Sequence, residues 1–319
     1  MKLAIVLPNY SSPTHAVDRE RLRACVEVIG DQGFEATYFL EHLVRPATYR
    51  TAWMDPVVTA AWVLGAAPQM TVGTSVLLAP LRNPVLLTAQ LLTLAHLSNG
   101  PLRIGVGSGY DPIEFLAAGV PRNQRGKRLD QFLETFDSAT RHGVIELTDA
   151  DGTKKTIEMG PRPQTPSIIR VGGGARSGAD AAAGFPQVVV DRIVRWGGWI
   201  SSVRSYEQLE ADWNVLRSAA GDAPLAHDHL NYVCIPTGSG AEIQSQQAEA
   251  FTWLFGPERG MEYAQRNCIV GSLDDIAERI TKTAALGVDL LSLHLVAADH
   301  DDWCRQVRDL AQLRNTLDL

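Results

Sequence analysis

Short apolar runs alternate along the chain with longer segments in which apolar residues recur at helical spacing. The clearest case is 71–109, where an apolar run at 71–77 precedes a helical segment at 84–97 and a second apolar run at 102–106. Runs of this length indicate strands buried on both faces, and the segment between them indicates a crossover helix. This part of the sequence therefore predicts a strand–helix–strand unit of a parallel sheet.

The same alternation continues in both directions and yields eight strands, each followed by helical sequence. The predicted strands are 3–7, 36–40, 71–77, 102–106, 168–171, 198–201, 230–235 and 288–295. The predicted helices are 17–32, 55–67, 84–97, 125–141, 186–196, 206–220, 241–254, 272–286 and 301–313. Residues 110–124 are predicted as a loop, and polar or irregular insertions follow strand 4 (144–165) and strand 7 (255–270).

Eight such units most simply form an α/β fold of the (β/α)₈ TIM-barrel type, with residues 1–319 as a single domain. The alternative is an open, doubly wound sheet. That alternative is less favoured because the segment after the first strand, Pro8-Asn9-Tyr10-Ser11-Ser12, holds no glycine of a dinucleotide fingerprint.

Composition narrows the class of protein. The 319 residues are 45% hydrophobic and 20% charged, which is typical of a globular protein with a large core. A net charge of −7 argues against nucleic acid as a partner. No apolar run is long enough for a membrane span, and the run at the start is too short for a signal peptide. The cysteines are Cys25, Cys234, Cys268 and Cys304. They form no CxxC pair, so we expect reduced thiols in a cytoplasmic protein and no bound metal.

In a barrel the active site is assembled from residues that follow the strands. Gly172, Gly173 and Gly174 follow the fifth strand and lead through Ser177 into helical sequence. Glycines allow close backbone approach, and a helix N-terminus attracts anions, so this turn predicts a phosphate site, although glycines can also serve only a tight turn. The neighbouring turn would hold the other side of the phosphate; it comprises Gly107, Ser108 and Gly109.

Two further groups are candidates for chemistry. His42 follows the second strand and could act as an acid or base, with Glu41 orienting it, although adjacent strand residues face opposite ways. A cation at a helix start opposes the helix dipole, so Arg125 or Arg128 could instead reach a phosphate. Each group also has a structural interpretation. His42 could be an ordinary hydrogen-bonded polar residue, and the arginines could lie at a solvated helix start.

The triplet 227–229, His-Asp-His, is predicted to precede the seventh strand at the opposite, structural end of the barrel. A metal there is disfavoured because a third ligand is not evident.

Several segments together resemble the bacterial luciferase-like family over nearly the whole chain. They are LPNY, FLEH, VGTSVLLAPLRNPVLLTAQLLTLAHLSNGPLRIGVGSGYDPIEFLAAGVP, RGKRLDQFLE and VGSLDDIAERITKTAALGVDLLSLHLV. Members of that family are (β/α)₈ barrels that use reduced FMN with O₂, or the deazaflavin F420. The resemblance implies a non-proline cis peptide at Ser75-Val76 against the flavin ring and makes His42 the active-site histidine. It also implies phosphate contacts from Ser108, Gly173, Gly174, Ser177 and the region of Arg125.

Two departures bear on the reaction. Some F420 dehydrogenases carry an aspartate and a catalytic glutamate where this chain has Glu41 and Tyr110, which disfavours dehydrogenation of a sugar phosphate. We therefore predict a flavin-dependent oxidoreductase, a monooxygenase that uses reduced FMN and O₂ on a small organic substrate. The alternative is F420-dependent hydride transfer at the same site. A flavin carrier without turnover and a metal-dependent barrel enzyme are further alternatives.

The expected partners follow from this hypothesis. A separate flavin reductase would supply reduced FMN. Relatives suggest a homodimer through the second and third helices, whose apolar residues would permit it; these are Val57, Ala60, Leu64, Leu87 and Leu91. The predicted walls of the substrate pocket are Asn9, Tyr10, Tyr49 and Tyr110.

Overall fold

Eight parallel strands close into a barrel. The computed structural model describes residues 1–11, 18–45, 51–174 and 184–317. The barrel strands are β1 (Lys2–Val6), β3 (Thr37–Phe39), β5 (Val72–Leu77), β6 (Arg103–Val106), β9 (Ile168–Gly172), β10 (Gly198–Ser202), β11 (Ala226–Val233) and β12 (Leu290–Leu295). They are hydrogen-bonded in the order β1-β12-β11-β10-β9-β6-β5-β3, with β3 returning to β1. The predicted TIM barrel is confirmed.

Helices surround this barrel, so most strand residues are buried whichever way they point. The helices are α1 (Arg19–Asp31), α2 (Pro56–Ala66), α3 (Pro84–Leu97), α4 (Pro112–Ala117), α5 (Arg125–His142), α6 (Gln187–Trp196), α7 (Tyr206–Ala220), α8 (Ala241–Phe255), α9 (Gly260–Asn267), α10 (Leu273–Ala285) and α11 (His300–Thr316). All residues of β6 and β12 are buried, as expected of strands with one face toward the barrel interior and the other under helices.

Both predicted insertions are present. The first holds the antiparallel pair β7 (Val144–Thr148) and β8 (Lys154–Glu158), and the second holds α9 between α8 and α10. A further short pair, β2 (Tyr10–Ser11) with β4 (Ala52–Trp53), lies outside the barrel.

The prediction of a loop over 110–124 was wrong in part, because that segment contains α4 and a 3₁₀ turn, Arg122–Gln124. The Asp111 side chain accepts a hydrogen bond from the amide of Ile113, and Pro112 occupies the first helical position. This cap and proline together start a helix of six residues.

The seventh strand starts four residues earlier than predicted, and this moves the 227–229 triplet into the barrel. His227, Asp228 and His229 are all buried within β11. Asp228 lies 3.2 Å from Nε of Arg170 and 3.6 Å from Nη2 of Arg103. The prediction that the triplet lies before the strand was therefore wrong, because Asp228 pairs with arginines of two other barrel strands.

Two other expectations concern the third strand and the dimer. The peptide bond Ser75-Val76 is cis, as the resemblance implied, and the pairing of β5 with β6 shifts register between Thr74 and Leu77. The apolar residues named for a dimer face are buried in the chain's own core, so they carry no argument for a dimer; they are Val57, Ala60, Leu64, Leu87 and Leu91. In the part of the chain that the structure describes, none of the helices has the length and apolar character needed to cross a membrane.

Candidate active site

A cavity of about 600 Å³ opens at the carboxyl ends of the barrel strands. This volume is within the range of small-molecule and cofactor sites. Residues in or directly after six of the barrel strands line it, together with part of the second insertion. The lining residues include Glu41, His42, Trp53, Ser75, Val76, Gly107, Ser108, Gly109, Tyr110, Gly172, Gly173, Gly174, Ser201, Arg204, Tyr232, Phe255, Arg259 and Tyr263.

Glycines on two neighbouring strands make room for Val76. A Cβ added to Gly107 would lie 2.6 Å from Cγ2 of Val76, and one added to Gly172 would lie 3.2 Å from Cγ1 of the same side chain. Real Cβ atoms do not approach other atoms as closely as the first of these distances. The glycines at these strand ends are therefore required by packing, and they expose backbone to the cavity.

Arg204 lies against the predicted phosphate turn. A Cβ added to Gly174 would lie 1.7 Å from Nη2 of Arg204, so the guanidinium occupies the space that a side chain there would need. Nη1 of Arg204 is 3.2 Å from Oδ2 of Asp212, whose Oδ1 accepts a hydrogen bond of 2.8 Å from Gln208. The turn thus combines exposed backbone with a positioned cation, the combination that binds phosphate.

The structure corrects the arginine assigned to the phosphate. Arg125 is not among the residues that line the cavity, and its Nη1 donates to the carbonyl of Arg122 at 3.3 Å. Arg128 donates to the carbonyls of Pro80 and Arg82. The basic stretch therefore ties α5 to a neighbouring loop. Sequence reasoning missed Arg204, although its position directly after the sixth strand was a signal.

His42 pairs with a carboxylate that the sequence did not suggest. Its Nδ1 is 3.3 Å from Oε1 of Glu114, a buried residue of α4, and this oxygen also accepts from the amide of Leu43 at 2.8 Å. The rings of Trp53 and Tyr110 flank the imidazole, with centroids at 5.8 and 6.2 Å. A carboxylate on Nδ1 favours the proton on that nitrogen and directs Nε2 to act on a ligand.

Glu41 has a different role from the predicted one. Its carboxylate accepts from the amide of Leu78 at 2.5 Å and pairs with Arg82, which also contacts Asp55. Burial raises the pKa of Glu41, and the charge of Arg82 opposes that rise. Glu41 therefore connects the ends of β3 and β5, and the prediction that it orients His42 was wrong.

Two predicted pocket walls lie behind the cavity. Asn9 is buried and donates to the carbonyls of Leu40 and Met54, at 2.8 and 3.2 Å. Tyr10 is buried against Trp53, with ring centroids 5.1 Å apart. Neither residue is among those that line the cavity, whereas Trp53 does line it. Tyr110 does line it, whereas Tyr49 and Ser177 lie outside the described residues.

A buried, hydrogen-bonded group lies behind Ser201, which lines the cavity. The hydroxyl of Ser201 is 2.9 Å from Nε2 of His227 and 2.7 Å from Nδ1 of His229. The ring of His227 stacks between Trp199 and Trp213, with centroids at 4.5 and 4.7 Å. Burial lowers the pKa of both histidines, that of His229 to about 3. Both imidazoles are therefore neutral at physiological pH.

The side contributed by the second insertion is aromatic. The ring of Phe255 packs on Tyr263 at 4.9 Å and on Tyr232 at 5.5 Å. The guanidinium of Arg259 lies 5.8 Å from the centroid of Tyr263. This side presents flat apolar surfaces with one cation among them.

This chain is similar to known proteins in sequence and in fold. The family model described as luciferase-like monooxygenase matches residues 1–190. An uncharacterized protein of Mycobacterium tuberculosis is 34% identical over 178 residues, which are 54% of this chain and 57% of that protein. The chain thus spans little more than half the length of this curated relative.

Solved structures share the whole fold. The monooxygenase RslO1 of Streptomyces bottropensis has a TM-score of 0.79 at 20% identity, with 100% of both chains covered. An F420-dependent secondary alcohol dehydrogenase, in complex with an F420-acetone adduct, has a TM-score of 0.75 at 10% identity, with 99% of this chain and 98% of that chain covered. The family match, which covers more than half of the sequence, shows that this chain belongs to the luciferase-like monooxygenase family.

Proposed function

We propose that this protein is a flavin-dependent monooxygenase that uses reduced FMN and O₂ to oxygenate a small organic substrate. The observation that carries the proposal is one cavity that combines a glycine turn backed by Arg204 with the His42–Glu114 pair. The first feature suits the phosphate of a flavin nucleotide, and the second suits proton transfer beside its ring.

The residues present fit the cofactor. Gly173, Gly174 and Arg204 would hold the phosphate, with Ser108 donating a hydroxyl from the neighbouring strand end. Val76 lines the cavity next to these turns and would contact the ring. When bound, reduced FMN would supply the two electrons that oxygen transfer from O₂ requires.

The chain's own residues would manage protons and water. One oxygen atom enters the substrate and the other leaves as water, so the site must deliver protons during turnover. His42 would deliver a proton from Nε2, and the Glu114 carboxylate would stabilise the imidazolium before that transfer. The aromatic side of the cavity would limit the entry of water.

The aromatic side also suggests the class of substrate. Tyr232, Phe255 and Tyr263 would pack on a flat, apolar or aromatic molecule, with Arg259 at the edge of the contact. A separate flavin reductase would provide the reduced FMN.

Cofactor binding tests this proposal. We expect FMN to bind the wild-type chain and Gly174→Ala to weaken binding about 10- to 100-fold, because the new methyl group displaces the Arg204 guanidinium from a charged hydrogen bond. Gly65→Ala is a matched control, since among the described residues no heavy atom lies within 4 Å of a Cβ added there. Fluorescence titration with FMN and with F420 gives the affinities.

Two results would contradict the proposal. Tight binding of F420 with negligible binding of FMN would replace oxygenation by hydride transfer. Equal FMN affinity in the Gly174→Ala and Gly65→Ala variants would remove the assigned phosphate site.

A further inference from the structure

A cluster of metal-ligating side chains lies away from the cavity, where α1 packs against α11. Ligand atoms of Cys25, His300 and Cys304 all lie within 4.8 Å of one another. Cys25 Sγ is 3.7 Å from Nδ1 of His300, and Cys304 Sγ is 3.7 Å from Nε2 of the same ring. All three residues are described, and all are outside the set that lines the cavity.

The two sulfur atoms are shielded from solvent, as the ligands of a structural metal site are. Cys25 is fully buried and Cys304 is 8% exposed. Thiolate is the form of cysteine that binds metals.

We propose that Cys25, Cys304 and His300 form a structural zinc site that fastens α1 to α11. Two thiolates and one imidazole are typical ligands of Zn²⁺, with Zn–S near about 2.3 Å and Zn–N near about 2.0 Å. Tetrahedral geometry with these bond lengths sets the ligand atoms roughly 3.4–3.8 Å apart. The two sulfur–nitrogen distances of 3.7 Å lie in this range, but each joins a different nitrogen of the His300 ring. All the ligand atoms lie within 4.8 Å of one another, so rotation of these side chains would have to bring both sulfurs to one nitrogen. Water or a nearby carboxylate would complete the coordination.

The position of the cluster gives the metal a structural role. Helix α1 belongs to the first unit of the barrel and α11 to the last, and the strands of these units, β1 and β12, pair in parallel with Lys2 opposite Leu290. A metal shared by α1 and α11 would therefore cross-link the two ends of the chain where the barrel closes. Binding to the folded state alone raises the thermal midpoint as metal concentration rises.

Zinc itself is the probe for the test, with the full-length chain reduced and treated with a chelator beforehand. We expect one Zn²⁺ per chain by competition with a chromogenic chelator, and a higher thermal midpoint in its presence. Cobalt(II) in the same site should give thiolate charge-transfer absorption, which a loosely bound surface ion does not show. Cys304→Ser and His300→Asn should weaken binding by more than the roughly 10- to 100-fold lost with an outer-shell partner.

Cys234→Ala is the matched control, because Cys234 is buried in a different cluster. This variant should bind zinc as the wild type does. His300→Asn guards against misfolding as an explanation, since His300 is only half-buried and its replacement leaves both thiols in the helix contact. Absence of stoichiometric zinc, or unchanged affinity in the Cys304→Ser and His300→Asn variants, would overturn the proposal. So would a Cys25–Cys304 disulfide whose reduced form binds no zinc. These measurements are independent of flavin binding.

Discussion

The imidazole of His42 is held by a carboxylate 72 residues away in the sequence. Glu114 is 1% exposed, and it binds both the ring and the amide of Leu43, so it fixes the backbone next to the histidine as well as the ring. A polar group that is buried this deeply requires such partners. The orientation of His42 therefore depends on one side chain from a different βα unit.

Substitution of this pair should affect turnover more than cofactor binding. We expect His42→Gln to lower the oxygenation rate about 10²-fold or more, because a general acid is lost. Glu114→Gln retains an acceptor for Leu43 but removes the charge that stabilises an imidazolium, so a smaller loss is expected. Steady-state rates and FMN titrations on the same samples separate the two effects. Glu146→Gln, on the exposed hairpin, is the control, and a wild-type rate in His42→Gln would refute an acid–base role.

Some residues of the candidate site could be predicted from the sequence, and others could not. His42, Ser108 and the glycines were accessible because residues that follow barrel strands face one mouth. Glu114 was not, because its contact with His42 joins different βα units. Arg204 also follows a strand, but its contact with the glycine turn was not evident from its position alone. Asn9 and Tyr10 were misplaced because the short β2–β4 pair puts Trp53 in front of them.

Helix α4 determines whether His42, the candidate acid, has Glu114 as its partner. The helix has six residues, and the Asp111 cap is its sequence-coded start. So short a helix has little stability of its own, and its cap therefore contributes much of its order.

Loss of this cap should reduce turnover as well as stability. We expect Asp111→Ala and Ser272→Ala each to lower the free energy of unfolding by about 1 kcal/mol, since each removes an N-cap. Only Asp111→Ala should also lower turnover, because only α4 carries Glu114. Urea unfolding and rate measurements on both variants check this. Equal turnover in the two would show that α4 holds Glu114 without its cap.

The elements themselves were mostly predictable, because apolar runs and caps are local signals. Helix α4 and the start of β11 were exceptions. In β11 the reason is its composition. Its first half carries His227, Asp228 and His229, so it lacks the apolar pattern of a buried strand. Their partners come from β6, β9 and β10, which a local pattern does not reveal.

For the whole molecule, buried neutral histidines predict loss of stability in acid. Burial lowers the pKa of His227, His229 and His294, the last two to about 3. The unfolded chain binds protons at these residues below about pH 6.5 while the folded chain does not. Stability is thus fully present above that pH and falls as the pH drops toward 3, by up to about 1.4 kcal/mol per pH unit for each histidine. Glu41 and Asp228, whose pKa values burial raises, act in the opposite sense and offset part of this loss.

Thermal midpoints measured between pH 7 and pH 4 test this expectation. The wild type should lose stability steadily over the range, and His294→Gln should show a shallower decline, because one buried imidazole is removed. His96→Gln, at an exposed position of α3, should follow the wild-type slope. Identical slopes in all three proteins would show that His294 is charged in the folded state.

The two sides of the cavity differ in how freely they can change. One side consists of strand-end glycines that have no room for a side chain. The other consists of the Phe255–Tyr263 segment, an insertion that adds no strand to the barrel among the described residues. Substitutions in this insertion would leave the closed barrel sheet intact. Under the proposed function, relatives with this plan could therefore acquire new substrates while they retain the same cofactor site.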